Sequence, residues 1–324
     1  MVASSPPPVT PRPTPGTREL LELLHQVGDA GLLAGQHNQP AHGSLWSVRA
    51  GELAGALPAL SGWDIGFSAP GTLDGVDFRE RNVAEAIAWH RRHGIVTWTW
   101  HSVSPFEDEP VEFEGGILRD LSPAEWDQLL DEGTPAHARW CSQVDVAADI
   151  LGRLDAAGVP VLWRPYHEMN GGWFWWGGDP DRFPVLWRML FDRLVHGHGL
   201  HNLVWVWSPN AAYGAASPFA PFHPGHDVVD VLAADVYDFH YEREHYEALL
   251  DLADGRPIGL GEVGELPTPE VLDDQPRWTW FMAWADLLEQ RNDPATVHRL
   301  YTDPRVITLD TLADLRSGLA GLPG

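Results

Sequence analysis

Eight short runs of strand-forming residues, most of them separated by stretches with helical apolar spacing, constrain the fold of this chain more than any other feature. This alternation is typical of parallel strands joined by helices, and eight such units favour a single (β/α)8 TIM barrel. A doubly wound open sheet is the alternative, but no glycine-rich phosphate fingerprint follows the first run. The predicted strands are Gly31–Gln36, Ala59–Phe67, Gly94–His101, Val159–Glu168, Asn202–Pro209, Val228–Tyr237, Pro257–Glu262 and Trp278–Trp284.

The connections between these runs define the rest of the barrel, which we place at residues 17–324. The chain between Glu262 and Trp278 is too short for a full crossover helix, so we expect an irregular seventh connection. An extended piece followed by a helix within Asp303–Leu319 is expected to close the barrel. The predicted helices are Arg18–Val27, Phe78–His93, Pro135–Ala157, Asp181–His196 and Tyr241–Leu252.

Composition and charge exclude several classes of protein. The net charge of −25 disfavours nucleic acid as a partner, and no run approaches the 18 apolar residues of a membrane span. All 21 basic residues are Arg, and the absence of Lys excludes P-loop phosphate binding, Schiff-base aldolases and pyridoxal enzymes. Residues 1–16 hold six Pro and no apolar h-region, so we expect a disordered segment with no visible signal peptide.

Two glutamates at predicted strand ends carry the chemical interpretation. In a barrel, functional groups gather at the carboxyl ends of the strands, where Glu168 ends the fourth run and Glu262 the seventh. Two carboxylates facing each other suit hydrolysis of a glycosidic bond, and about 5–5.5 Å between them predicts retention. Trp173, Trp175 and Trp176 should desolvate Glu168 and raise its pKa, which favours Glu168 as the acid/base.

Glu262 lies in the glycine-rich run at residues 258–264, and we expect these glycines to let a substrate approach closely. The Tyr237 hydroxyl would hold an ionised Glu262 as the nucleophile. The alternative for either glutamate is a buried ion pair with Arg164. We expect Arg164 itself about 13 Å below Glu168 in the barrel, paired with an acid such as Asp64.

Aromatic and histidine side chains at other strand ends are candidate sugar ligands. His101 ends an alternating strand, whereas His167 points away from Glu168 unless the chain bends there. Trp284 ends the last strand and could floor the subsite where the bond breaks, or pack against the closing helix. No His or acid spacing suits a metal, so we expect neither a catalytic metal nor a cofactor.

The run RPYHEMNGGWFWWG at residues 164–177 resembles the acid/base signature of glycoside hydrolase family 26, the β-mannanase family. Members of that family are (β/α)8 barrels of clan A with a retaining mechanism. Other segments are similar to family landmarks and follow in the expected order: GQHN (35–38), TWH (99–101), VWSPN (206–210), HPGHDVVDVLAADVY (223–237), GEVG (261–264), WFMAW (280–284) and DPRVITLD (303–310).

The resemblance implies roles for individual residues. Glu168 would be the acid/base and Glu262 the nucleophile. The remaining implied residues would bind sugar or support the nucleophile: His101 and His167 in the subsite on the non-reducing side of the cleaved bond, Tyr237 on the nucleophile, Asp235 beneath it, Trp173 near the leaving sugar, and Trp284 under the distorted ring.

The function predicted from the sequence is a retaining endo-β-1,4-mannanase that hydrolyses mannan-type polysaccharides by double displacement. The same machinery could act on xylan or mixed-linkage β-glucan, and a non-catalytic carbohydrate-binding barrel is a further alternative. We expect a polysaccharide or oligosaccharide as the only partner, with no nucleic acid and no membrane, and a monomeric protein. Secretion is expected, with a cytoplasmic location as the alternative because no signal peptide is visible.

Overall fold

A computed structural model of the chain describes residues 6–319. Eight parallel strands form a closed barrel, because β1 pairs with both β2 and β8. A two-residue strand, β9 (Val306–Ile307), extends the sheet beside β1. The barrel strands are β1 (Leu32–Asn38), β2 (Leu60–Asp64), β3 (Ile95–Trp100), β4 (Val161–Pro165), β5 (Leu203–Trp207), β6 (Val231–Val236), β7 (Ile258–Val263) and β8 (Trp278–Ala283).

Helices surround the barrel, and one of them closes its amino-terminal end. Short 3-10 turns occur at Pro40–His42, Val76–Phe78 and Ala220–Phe222, and a π-helical segment, Asp192–Gly197, continues α7. The helices are α1 (Pro15–Ala30), α2 (Leu45–Ala54), α3 (Arg79–Arg91), α4 (Phe113–Gly116), α5 (Pro123–Leu130), α6 (Pro135–Ala156), α7 (Phe183–Phe191), α8 (Arg243–Ala253), α9 (Pro269–Asp274), α10 (Leu287–Gln290), α11 (Pro294–Tyr301) and α12 (Leu309–Leu319).

Side-chain alternation divides the core into an inner and an outer layer. In β4, Leu162 packs with the apolar face of α1, whereas Val161 and Trp163 pack with the surrounding helices. Successive side chains of a strand point to opposite faces, so these two groups lie inside and outside the barrel. Helix α1 contacts the paired strands β1 and β8 and also β5, which lies across the barrel from them, and it therefore caps the amino-terminal end.

The predicted fold is confirmed element by element. All eight strands form where the sequence indicates. The seventh connection is irregular, as expected: its one helix, α9, has six residues. Strand β9 and helix α12 form the predicted closing segment. Helices α2, α4, α5, α10 and α11, like α9, are additional; none exceeds ten residues, and the sequence pattern did not resolve them. Within residues 6–319, no helix combines the length and hydropathy that crossing a membrane requires.

The proline-rich amino-terminal segment differs from the expected disorder in its described part. The Val9 backbone N–H donates to Asp230 at 2.7 Å, and the buried Thr10 donates through its hydroxyl to the Leu203 carbonyl. Thr14 caps α1, which begins at Pro15. Proline fixes its own φ angle, which reduces the entropy lost when this extended segment packs on the barrel. Residues 1–5 of the predicted segment lie outside the described residues.

Asp230 is the buried acceptor that holds this segment, because it also accepts the Trp205 backbone N–H at 2.8 Å. Asp230→Ala removes the acceptor of two buried N–H groups, and we expect the free energy of unfolding to fall by about 2–4 kcal/mol. Chemical denaturation measures the change. The exposed Asp108, paired with Arg139, supplies the control Asp108→Ala, which should change stability by less than about 1 kcal/mol. Equal stability of the two variants would contradict the anchoring role.

Candidate active site

The two predicted carboxylates meet in one cleft at the carboxyl end of the barrel. Glu168 follows β4 and Glu262 lies in β7, and both are buried. One oxygen of each, together with one of Asp235, lies within 4.8 Å of the others. The cleft encloses about 420 Å³ and is lined by Glu168, Glu262, His101, Phe113, His167, Trp173, Phe174, Asn210, Tyr213, Gly214, Ala215, Tyr237 and Trp284.

A bend after β4 aims its side chains into the cleft. Tyr166 and Glu168 adopt positive φ angles of 48° and 54°, which non-glycine residues adopt rarely and at a cost. The Glu168 N–H donates to the Ser208 carbonyl at 2.7 Å, which holds the bend. The chain therefore bends, which is the condition under which His167 was expected to reach the cleft: Tyr166 accepts a hydrogen bond from the Trp140 indole, and His167 lines the cleft.

Glu168 is in the environment expected of a proton donor. Burial, and then the neighbouring Asp235 and Glu262, raise its pKa well above the usual value. The Trp173 indole N–H donates to its carboxylate at 2.8 Å, which partly opposes that rise in pKa. Gly171 makes this contact possible, because a Cβ there would lie 2.1 Å from the Trp173 ring.

Trp175 and Trp176 are fully buried behind the cleft. The Trp175 indole donates to the Ser102 carbonyl at 2.7 Å, and the Trp176 indole donates to the His167 carbonyl at 2.8 Å. Trp176 therefore supports the backbone of a cleft residue. Of the three tryptophans that follow Glu168, only Trp173 lines the cleft.

Glu262 faces two hydrogen-bond donors. The Tyr237 hydroxyl donates at 2.6 Å, as expected, and the Arg164 guanidinium donates to the other carboxylate oxygen. His167 Nε2 lies 3.7 Å from Glu262, and burial together with Arg164 lowers the pKa of His167 well below its usual value. A neutral imidazole thus lies beside the Glu262 carboxyl group.

Arg164 takes a different partner from the one predicted. Its guanidinium donates to Asp235 at 2.9 Å as well as to Glu262, so the expected pairing with Asp64 is wrong. The ion pair with Arg164, given above as the alternative for either glutamate, is present at Glu262. The Ser208 hydroxyl donates to the second oxygen of Asp235 at 2.8 Å. Burial raises the pKa of Asp235, whereas Arg164 and Ser208 oppose that rise. Asp235, which lies opposite Glu262 in the neighbouring strand, is therefore linked to it through the shared guanidinium.

The glycines of β7 serve a purpose other than the one predicted. A Cβ at Gly261 would lie 2.4 Å from the Ser208 hydroxyl and 2.6 Å from the Asp235 carboxylate. A Cβ at Gly259 would lie 2.4 Å from the Trp280 indole, and one at Gly264 would lie 2.9 Å from Tyr237. These glycines make room for protein side chains, so the expectation that they admit substrate is wrong.

Asp64 orients His101. The His101 Nδ1 lies 2.6 Å from an Asp64 carboxylate oxygen, which leaves the other ring nitrogen for the cleft. Burial lowers the pKa of His101, but the attraction of Asp64 outweighs it, and the net shift is upward. The reciprocal attraction lowers the pKa of Asp64 despite its burial. The two residues therefore form a buried hydrogen-bonded pair in which Asp64 fixes the orientation of the imidazole.

Trp284 stacks on His37, with ring centroids 3.9 Å apart and planes inclined by 8°. It lines the cleft, so the alternative of packing against the closing helix is not what the structure has. Burial lowers the pKa of His37 to about 3, which keeps this imidazole neutral beneath the indole. His37 belongs to the GQHN segment, but its sequence position does not indicate this role. His37 in β1 meets Trp284, which follows β8, only when the barrel closes.

The cluster of Glu168, Asp235 and Glu262 is compact enough to hold a cation. Arg164 already donates to two of its three members, so a fixed positive charge faces those carboxylates. Carboxylates that bind Mg²⁺ or Ca²⁺ need open oxygens around the ion. We therefore retain the expectation that catalysis uses no metal and no cofactor.

A barrel of eight strands with acidic residues at the ends of β4 and β7 defines the class of fold and site. The model of Glycosyl hydrolase family 26 matches residues 9–311. The chain belongs to glycoside hydrolase family 26.

Relatives of this chain span a wide range of organisms. A mannan endo-1,4-β-mannosidase of Thermothelomyces thermophilus is 34% identical over 307 residues, which cover 91% of this chain and 61% of the relative. The structure of GH26A from Muricauda sp. MAR_2010_75 is 42% identical, with a TM-score of 0.89, and covers 93% of this chain and 99% of that one.

A third relative was solved with a bound ligand. The β-mannanase from a symbiotic protist of the termite Reticulitermes speratus, complexed with gluco-manno-oligosaccharide, is 28% identical with a TM-score of 0.82. The match covers 94% of this chain and 97% of that one. By contrast, the chain spans 61% of the Thermothelomyces relative and 53% of a Piromyces mannan endo-1,4-β-mannosidase.

Gly261→Ala tests the crowding beside Glu262. The new methyl must displace Ser208 or Asp235, and we expect the free energy of unfolding to fall by about 2–3 kcal/mol. Thermal or chemical denaturation measures it. Gly152→Ala, in the interior of α6, is the matched control, because the nearest atom to its Cβ would be 3.7 Å away, on Leu200. Alanine in place of glycine stabilises a helix interior by roughly 0.5–1 kcal/mol. A Gly261→Ala protein as stable as the unaltered chain would refute the crowding.

Proposed function

We propose that this protein is a retaining endo-β-1,4-mannanase in which Glu262 is the nucleophile and Glu168 the acid/base. The observation that carries the proposal is the approach of their carboxylate oxygens to within 4.8 Å in unlike surroundings. That spacing suits a retaining rather than an inverting glycosidase, which needs room for a water between the carboxylates. The names of the relatives support mannan as the substrate.

The first chemical step forms a covalent intermediate. A Glu262 oxygen attacks the anomeric carbon, and Glu168 transfers its proton to the glycosidic oxygen as the carbon–oxygen bond breaks. The raised pKa of Glu168 keeps that proton available. Arg164 and Tyr237 hold Glu262 in position through their hydrogen bonds, so little reorganisation is needed for attack.

The second step reverses the roles of proton donor and acceptor. Glu168, now a carboxylate, takes a proton from water, and the water oxygen attacks the anomeric carbon. The bond to Glu262 breaks, and the sugar leaves with its original configuration. The Trp173 indole stabilises the anionic Glu168 in this step, because its N–H donates to the carboxylate.

The remaining cleft residues divide between binding and support. We propose that His101, held by Asp64, and the neutral His167 bind hydroxyl groups of the sugar under attack. Trp284 offers its flat face to the same ring, supported by His37. Asp235 acts through Arg164 and is a positioning residue.

The size of the substrate bears on where the enzyme acts. Mannan is a polymer too large to enter a cell, so we propose that the enzyme acts outside the cell and as a monomer. The strongly negative charge at pH 7 favours solubility and is compatible with an uncharged polymer.

Azide rescue separates the two carboxylates. With 2,4-dinitrophenyl β-mannobioside and azide, Glu168→Ala should yield the β-mannobiosyl azide, because azide enters from the face that the acid/base served. Glu262→Ala should yield the α-azide, because azide replaces the nucleophile on the opposite face. Without azide, both variants should lose at least about 10³-fold in kcat on mannan. Product anomers are read by nuclear magnetic resonance.

The exposed Glu247→Gln serves as the control and should retain full activity. The same azide anomer from both variants, or near-normal hydrolysis by either, would refute the assignment. Reducing-end release from mannan, xylan and lichenan in parallel tests the substrate. Activity on xylan or lichenan instead of mannan would show that the same mechanism acts on one of those polymers. Inactivity on all three would favour a non-catalytic carbohydrate-binding protein.

Trp173→Phe tests the proton donor through the pH profile of kcat/KM. The Trp173 hydrogen bond stabilises the carboxylate form and lowers the pKa of Glu168, so its loss should raise that pKa further. Activity requires a protonated Glu168, and the basic limb should therefore move to higher pH, by roughly one unit. Trp284→Phe, on the opposite side of the cleft, should leave this limb in place. A basic limb that moves to lower pH or stays fixed would contradict the role of Trp173.

A further inference from the structure

The cleft has a second aromatic wall that the proposed mechanism leaves unused. Glu168 and Glu262 stand at the ends of β4 and β7, and a line between them divides the barrel end into two parts. Trp284 and His101 lie on the side of β8, β1, β2 and β3. Tyr213 lies on the other side, in the loop after β5, and lines the same cleft.

Tyr213 is held in place by a side chain from the neighbouring loop. Its ring stacks on His240, which follows β6, with centroids 4.0 Å apart and planes inclined by 19°. Both rings are half-buried, so each keeps a face or edge toward solvent. The pair therefore forms a preformed flat surface beside the acid/base, of the kind on which a sugar ring packs.

Asn170 ties the Tyr213 loop to the loop that carries Glu168. Its buried amide donates to the carbonyls of Asn210 and Ser217, each at 2.8 Å, and its side-chain oxygen accepts the Asn210 N–H at 2.9 Å. The Asn170 carbonyl also accepts the Ser217 N–H. These contacts bracket residues 210–217, so the position of Tyr213 is fixed relative to Glu168.

The loop that carries His240 is held in a strained conformation. Asp238 and Phe239 have positive φ angles of 52° and 63°, and two successive non-glycine residues in this region cost about 1–3 kcal/mol each. Arg291 donates to Asp238 and also to Glu265, which anchors the loop to the end of β7. Strain of this kind persists where surrounding contacts maintain it, and it is concentrated at ligand-binding sites.

The Tyr213 hydroxyl can donate a hydrogen bond, and it lies near enough to Glu168 for the charge of that carboxylate to affect its pKa. Burial, followed by the charges of Asp238 and Glu168, raises the pKa of Tyr213 to about 12. The hydroxyl therefore keeps its proton over the pH range in which Glu168 cycles. A protonated phenol beside a flat ring face can both stack under a sugar and donate a hydrogen bond to it.

We propose that the Tyr213–His240 stack is the binding platform for the leaving sugar and determines how strongly the enzyme holds the portion of the chain released in the first step. This inference rests on the proposed mannanase function and adds residues on the reducing-end side of the cleaved bond. Because the same site accepts an incoming sugar in place of water, the stack also controls transfer of the glycosyl group to a second oligosaccharide.

Two substrates that differ only on the leaving side test the platform. Mannohexaose places sugars on the Tyr213 side, whereas β-mannobiosyl fluoride releases only fluoride. Tyr213→Ala should lower kcat/KM on mannohexaose roughly ten-fold, equivalent to about 1.4 kcal/mol, and leave hydrolysis of the fluoride unchanged. His240→Ala should give the same pattern with a smaller loss. Tyr213→Phe keeps the ring and should retain most of the activity.

Phe113→Ala is the matched control, because Phe113 is an exposed aromatic that lines the cleft beside His101 on the opposite side. Its loss should affect both substrates alike. Equal losses on both substrates for Tyr213→Ala, or no loss on either, would overturn the platform. If the unaltered enzyme hydrolyses neither mannohexaose nor the fluoride, the proposed function itself fails, and the platform falls with it.

Added mannobiose gives a second measurement. In the unaltered enzyme, it should compete with water for the glycosyl intermediate, and the yield of transfer product should saturate with mannobiose concentration. Tyr213→Ala should raise the half-saturating concentration roughly ten-fold. An unchanged half-saturating concentration would place the acceptor elsewhere and refute the proposal.

Discussion

The guanidinium of Arg164, buried inside the barrel, is the constraint on which the site depends. It donates to Asp235 of β6 and to Glu262 of β7, and so joins two carboxylates that would otherwise repel each other. A buried charge without its partner typically costs about 3–5 kcal/mol, so each member needs the others. The barrel interior thereby holds Glu262 at the cleft, while burial and the neighbouring acidic groups raise the pKa of Glu168.

Backbone geometry gives the two glutamates their different surroundings. Glu262 lies within β7, whose pairing register shifts against both neighbouring strands, and the glycines near it make room for Ser208, Asp235 and Tyr237. Glu168 lies beyond the end of β4 on a strained bend, and Trp173 folds back over it. Two residues of the same chemical type therefore have different surroundings. Glu262 accepts hydrogen bonds from a guanidinium and a phenol, whereas Glu168 is mainly desolvated, which raises its pKa.

Much of the fold could be predicted from the sequence, because strand and helix periodicity depend on local spacing. The eight strands and the short seventh connection were predicted on that basis. The site was predicted less completely: the two carboxylates stand at strand ends that the pattern marks, but the partners of Arg164 and the stack of Trp284 on His37 join strands far apart in the chain. Local spacing also left the direction of His167 conditional, because it does not reveal the bend at Tyr166 and Glu168 that turns this side chain into the cleft.

The sequence by itself determined the barrel class, the placement of Glu168 and Glu262 at strand ends and the aromatic character of the loop beside Glu168, since each depends on residue type and short-range order. Tertiary structure alone decided which two acids Arg164 contacts and why β7 needs glycine beside Ser208, Asp235 and Trp280. It also decided that Tyr213 stacks on His240 across two loops. Those outcomes depend on distances between segments brought together by barrel closure, and such distances follow from the packing of the whole chain rather than from any one stretch of it.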